Sequence, residues 1–235
     1  QRCEQVVPLF NDKHLAYNWA DAKHMYDTAK SNRIPFMAGS SLPTAWRYPA
    51  TSLPLDIPLE EAVVIGFWGL EIYGFHALEA LQCIVERRQG GETGVEAVTG
   101  LNYEQALAAE QQGKWSRSLL EAAANACDTS VQNMEQRLNK SKTAFYHIEY
   151  KDGFRATCAM LNGIATKIAV ACKIKGQAKP LANWIRLEGK PYGHERYGLL
   201  PCPLYAPAYH KWLIEPTLDA ARSGLVDGLH MDWEP

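Results

Sequence analysis

Two short apolar runs, Val6 to Phe10 and Ile34 to Gly39, stand on either side of a segment with helical periodicity, and this order constrains the fold more than any other feature of the chain. Asn18 has the side chain to cap that helix, and Asp21 at its third position favours the positive N-terminal end. Ala22, Met25, Tyr26 and Ala29 recur at i, i+3, i+4 and i+7, which makes one apolar stripe and leaves Lys23, Asp27 and Lys30 elsewhere. The amphipathic helix is expected to cover a sheet of two buried strands, Pro35 being tolerated near the start of the second. Strands joined through a helix pair in parallel, so the unit is β-α-β.

The first strand runs into Asn11-Asp12-Lys13-His14-Leu15, which puts a lysine at the C-terminal end of a β-strand, where α/β folds keep their chemistry. No glycine-rich phosphate loop accompanies it anywhere in the sequence. The expectation is the latter part of an enzyme whose front is missing. Further along, a strand over Ala62 to Phe67 leads through Gly69-Leu70-Glu71-Ile72-Tyr73-Gly74-Phe75-His76-Ala77-Leu78-Glu79 into a helix over Tyr73 to Arg88. Phe75, Leu78, Leu81 and Val85 are its expected packing face, and Gly90-Gly91 ends it.

The stretch from Val6 to Pro43 resembles the latter part of the nucleotide-binding domain of the glucose-fructose oxidoreductase and inositol dehydrogenase family (Gfo/Idh/MocA). Lys13 matches the lysine of that family's Glu-Lys-Pro, which lies beside the nicotinamide and the substrate hydroxyl. Asp12 stands for the glutamate, His14 for the proline, and Ser41 for an asparagine often found after the second strand. The segment from Gly69 to Glu79 is similar to the family's glycine-rich approach to a helix carrying Asp-x-x-x-His. His76 matches the histidine that serves as acid and base, Glu79 a later acidic position, and Ile72 occupies the place of the aspartate, with Glu71 one residue away. The resemblance implies Lys13, His76 and Glu71 as catalytic candidates, Asp12, Lys13 and Ser41 as cofactor-binding candidates, NAD or NADP as cofactor, and a sugar or polyol as substrate.

Those residue types suit the chemistry without the family. Oxidising a secondary alcohol removes a hydride from carbon while a base takes the hydroxyl proton, and a histidine with an ordinary pKa of about 6.5 exchanges that proton near neutrality. A lysine bonded to the same oxygen stabilises the charge developing there. The hydride acceptor must be a cofactor, because no side chain performs this step. Each candidate also has a structural reading: a histidine entering an apolar helix commonly satisfies a local hydrogen bond, an acidic residue beside a glycine turn is commonly solvated, and Glu79 is read as structural.

With 235 residues, 47% of them apolar, the chain can bury a substantial core, and a net charge of −2 without basic blocks argues against nucleic acid as a partner. The longest apolar run, Ala62 to Leu70, falls far short of the ~20 residues that span a bilayer, so no membrane partner is expected. Cysteines 3, 83, 127, 158, 172 and 202 form no C-x-x-C pair and are read as free thiols of a reducing, cytoplasmic compartment. The histidines show no metal-ligand spacing, so no metal site is expected.

Prolines 49, 54 and 58 make residues 48–60 an extended connector. It divides a nucleotide-binding remnant (1–47) from a substrate and oligomerisation domain (61–235). Within the latter the sequence predicts a strand near Val95 to Val98, helices over Tyr103 to Gln112 and Ser116 to Ala126, and a hairpin of Ala144 to Tyr150 with Phe154 to Leu161 around Lys151-Asp152-Gly153. A third strand over Thr166 to Ile174 alternates apolar and polar, and a helix is expected around Glu215 to Ser223. The fold class is therefore α/β plus α+β: a partial parallel Rossmann-type βαβ unit, then a largely antiparallel open sheet with helices on one face. The resemblance adds a homo-oligomer formed through that sheet. Two readings of function stand: a fragment of a sugar or polyol dehydrogenase, or a non-catalytic relative serving as a sugar-binding or oligomerisation module.

Overall fold

A computed structural model describes residues 8–13, 15–40, 42, 45–51 and 53–186. Contacts divide the chain into two compact units, the second beginning at Ser40. In the first, β1 (Leu9–Asp12), α1 (Trp19–Ser31) and β2 (Phe36–Gly39) form the expected unit, with β1 and β2 parallel in a two-stranded sheet and Leu9 opposite Phe36. Asn18 caps α1 as its sequence requires, its Oδ1 accepting the Asp21 N–H at 2.9 Å.

Burial in this unit differs from expectation. Phe10 is 60% and Met37 70% exposed, and of the helical stripe only Ala29 is fully buried. Two short strands and one helix enclose too little volume to hide both faces of a ribbon.

The second unit carries a seven-stranded sheet in the order β3-β9-β8-β4-β7-β6-β5. Its strands are β3 (Trp46–Tyr48), β4 (Leu59–Gly66), β5 (Val95–Leu101), β6 (Ala144–Tyr150), β7 (Arg155–Met160), β8 (Ala169–Ile174) and β9 (Leu181–Arg186). Only β4 and β7 pair in parallel, so the sheet is largely antiparallel as expected. The Asp-Gly hairpin forms at its predicted place, with Gly153 at φ 82° in the left-handed region that favours glycine.

The expected single helical face is corrected. Helix α2 (Phe75–Val85) packs on one face, where Ala62 and Val64 of β4 meet Ala77, Ala80 and Leu81. Helices α3 (Tyr103–Gln111) and α4 (Arg117–Ala126) cover the other, where Val63 and Ile65 meet Tyr103, Leu119, Leu120 and Ala123. The cause is in β4 itself: Ala62-Val63-Val64-Ile65 is apolar on both sides, so exposing either side forfeits about 1.5–3 kcal/mol per large aliphatic residue. The same run places β4 inside the sheet, between the hairpin and β8, rather than at an edge.

Two further expectations change. Strand β8 begins at Ala169 and is buried on both faces through Cys172, because it lies between β9 and β4; Lys167 falls outside it and Lys173 is its one exposed residue. On α2 the fully buried residues include His76, Ala77, Ala80, Leu81, Ile84 and Val85, while Phe75 and Leu78 are half-buried. Small Ala77 and Ala80 let the helix approach the sheet closely, at a point where a Cβ on Gly66 would lie 3.2 Å from that of Ala77. The expected helix around Glu215 lies outside the described residues. Among the described residues, no helix is long and apolar enough to cross a membrane, no group of three or more His, Cys, Asp or Glu is arranged to hold a metal, and cysteines 83, 127, 158 and 172 are free thiols.

A buried histidine on the α3–α4 side gives a pH test of this packing. Burial holds His147 below its ordinary pKa of 6.5, outweighing the nearby Glu149 carboxylate. Its Nδ1 lies 3.3 Å from the Thr157 hydroxyl. The unfolded chain binds the proton more tightly than the native ring, so stability from this group is complete above about pH 6.5 and declines as pH falls below it, until the native ring also titrates. Urea midpoints measured between neutrality and mild acid should therefore fall more steeply in the wild type than in His147→Phe. Equal slopes would mean that the ring is protonated in place without cost.

Candidate active site

The strongest concentration of acid–base and aromatic side chains lies at the C-terminal end of β4 and the start of α2. After Gly66 the chain takes a sharp course: Trp68 has φ 60°, a left-handed conformation in which a bulky residue is rarely found. Its carbonyl accepts a hydrogen bond from Asn162 Nδ2 at 2.6 Å, and the same nitrogen donates to the Lys142 carbonyl, so the turn is held from the β7–β8 loop. Residues Leu70–Gly74 then form a π-helical turn, a geometry frequent at functional sites. Gly74 is required there, because a Cβ would collide with the Leu70 side chain.

This turn gathers aromatic rings. Phe67 and Tyr73 lie 4.6 Å apart between centroids, Trp68 meets Tyr73 edge-on at 5.2 Å, and Tyr73 stands 5.8 Å from the imidazole of His76. His76 itself is 8% exposed, with Nδ1 2.7 Å from Ser40 Oγ. Ser40 is fastened in turn to α2, its N–H donating to Glu79 Oε2 at 3.2 Å. An imidazole enclosed by rings and bound to a hydroxyl is equipped to hold and exchange a proton while water is kept away.

The candidates read from the sequence fall in both units. Lys13 and Asp12 belong to the first: Asp12 ends β1 opposite Gly39, and Lys13 leaves the strand at φ 63° with its N–H donating to the Gly39 carbonyl at 2.7 Å. That backbone bond fixes where the lysine departs from the sheet. His76 and Glu71 belong to the second unit, Glu71 on the exposed side of the π-helical turn and His76 inward. Glu71 does act locally, its charge adding to burial in raising the Tyr146 hydroxyl above its ordinary pKa. Ile72, at the position of the family's aspartate, is 59% exposed. Ser41 and His14 lie outside the described residues.

Glu79, read as structural, performs that role through Ser40. Ser40, Trp68, Tyr73 and Asn162 escaped the sequence reading. The pair Phe67-Trp68 before Gly69, at the end of an apolar strand, was the one local signal for the aromatic turn; nothing local marks a serine whose partner is 36 positions away. A separate concavity of about 530 Å³ lies at the end of α4, lined by Glu121, Asn125, Asp128 and Thr129 among others. It offers carboxylates, amides and hydroxyls but no histidine or lysine.

Among solved structures, the chain is similar to the crystal structure of myo-inositol 2-dehydrogenase from Lactobacillus plantarum, with 13% identity and a TM-score of 0.40. The match covers 92% of this chain and 64% of that one, so the chain spans a little under two thirds of that protein's length. No protein-family model and no curated protein matches the chain.

Proposed function

We propose that this chain is part of a nicotinamide-dependent oxidoreductase that transfers a hydride between a carbon of a sugar or cyclic polyol and NAD or NADP. The observation that carries the reading is the buried His76, held by Ser40 and enclosed by aromatic rings at the end of a central strand. His76 exchanges the substrate hydroxyl proton, and Lys13 binds the same oxygen and stabilises its developing charge. Asp12 and Ser41 belong to the cofactor side, and Glu71 is the secondary carboxylate. The nicotinamide supplies the hydride acceptor. Residues of this chain fit the nicotinamide end only: the 235 residues contain no G-x-G-x-x-G loop, so the pyrophosphate contacts are not among them. Subunit association through the large sheet belongs to the same reading, with β5 as its edge, where Val95 is 45% and Val98 58% exposed.

The exposed Ile72 favours a second reading, a non-catalytic sugar-binding or oligomerisation module, because the site then lacks the carboxylate that would orient its histidine. Incubating the complete protein with NAD or NADP and a panel of sugars and cyclitols separates the two. Formation of reduced nicotinamide with at least one of them is expected. Saturable sugar binding with no reduction of either dinucleotide would establish the module instead.

A further inference from the structure

Ser40 is 7% exposed and meets three hydrogen-bonding groups. Its N–H donates to Glu79 Oε2, its Oγ accepts the Leu42 N–H at 3.0 Å, and the same Oγ lies 2.7 Å from His76 Nδ1. A hydroxyl carries one hydrogen and two lone pairs. Leu42 occupies a lone pair, which leaves the hydrogen to be placed. Of the atoms in contact with Oγ, Leu42 N is itself a donor and only His76 Nδ1 can accept. Directing the hydrogen anywhere else would forfeit a buried hydrogen bond, a loss on the order of 1 kcal/mol or more.

We infer that Ser40 donates to His76 Nδ1 and thereby fixes the neutral ring as the Nε2–H tautomer. A neutral imidazole has a single ring proton, so a lone pair engaged at Nδ1 leaves that proton on Nε2. Ser40 is then a positioning residue: it decides which nitrogen of His76 is a donor and which takes up a second proton. At Nε2 the neutral ring offers N–H to an oxygen lone pair. Protonation at Nδ1 requires the Ser40 hydroxyl to rotate and become the acceptor. Glu79 and the Leu42 N–H hold the serine in place while it does so. The tautomer follows from hydrogen-bond geometry; its importance for proton exchange with a substrate rests on the dehydrogenase reading.

Nitrogen-15 NMR of the imidazole rings in the full chain tests this, with His76 assigned by the signals lost in His76→Gln and the pH set above the ring's titration. The wild type should show Nδ1 as a pyridine-type nitrogen and Nε2 as a pyrrole-type one. Ser40→Thr, which keeps the hydroxyl, should preserve this pattern, and Ser40→Ala should shift both nitrogens toward the average of the two tautomers. A pyrrole-type Nδ1 in the wild type overturns the assignment without recourse to any variant, and so does a Ser40→Ala spectrum identical to the wild type. Failure here would leave hydride transfer intact, whereas a correct tautomer in a protein that reduces neither dinucleotide would count against the dehydrogenase reading alone.

Discussion

Replacing Arg88 with alanine is expected to destabilise the second unit by about 3–5 kcal/mol, the range found when one partner of a buried ion pair is removed. Arg88 is 2% exposed, and its guanidinium is satisfied on every side. Nε donates to Asp152 Oδ2 at 2.7 Å, Nη1 to the Val85 carbonyl at 2.8 Å and Nη2 to Thr93 Oγ1 at 2.9 Å. The plane also lies over Tyr150 and Phe154, 4.6 and 5.1 Å from their centroids. One side chain thus ties the end of α2, the approach to β5 and the β6–β7 hairpin together. Burial alone would raise the Asp152 carboxyl, but the hydrogen bond from Arg88, the Phe154 N–H and the Arg88 charge hold it below its ordinary pKa. Stability from that carboxylate is present above the ordinary value of 3.8 and is lost as pH falls through the lower native one. Arg88→Lys should also be damaging, because an ammonium cannot reproduce the planar fork or the stacking. Asp152 is partly open to solvent, so Asp152→Asn should cost less than Arg88→Ala. Denaturant titration at neutral pH checks all three, and a loss under about 1 kcal/mol for Arg88→Ala would show that solvent replaces these contacts freely.

In the complete protein, His76→Ala is expected to lower turnover about 10²- to 10⁴-fold while leaving dinucleotide affinity nearly unchanged, the usual signature of a lost general acid–base group. The substitution removes a ring held by Ser40 and packed against Tyr73 and Phe75, so its effect on folding must be measured beside its effect on rate. Lys13→Ala should impair both turnover and affinity, since the lysine is assigned to the nicotinamide and the substrate oxygen together. Undiminished turnover in a folded His76→Ala protein would remove the histidine from the mechanism and make Glu71 the next candidate base.

The parts of the fold legible in the sequence are those set by local chemistry. Asn18 announces α1, Asp152-Gly153 announces the hairpin, and the flanking apolar runs of the first unit announce a parallel pair, because each signal acts over a few residues. Neither β3 nor β9 was legible. Trp46–Tyr48 is too short to show a period, and Asn183 and Arg186 break the apolar pattern of Leu181–Arg186. The second helical layer was implicit in the unbroken apolar face of Ala62 to Ile65, but choosing α3 and α4 as its cover required tertiary packing. At the site, His76 was marked by its place after a glycine-flanked turn. Ser40 gains its meaning only when α2 folds back against the start of the second unit.

Carbon-bound deuterium tests the central claim most directly. The complete protein is supplied with a cyclic polyol or sugar deuterated at its secondary carbinol carbons, together with NAD or NADP, and the dinucleotide is examined by mass spectrometry for label on the nicotinamide ring. The account predicts that deuterium moves from substrate carbon to nicotinamide with the wild-type protein and that His76→Ala slows the transfer. A correctly folded wild-type protein that transfers no label from any member of the panel, while binding one of them, would contradict it and leave the binding module in its place.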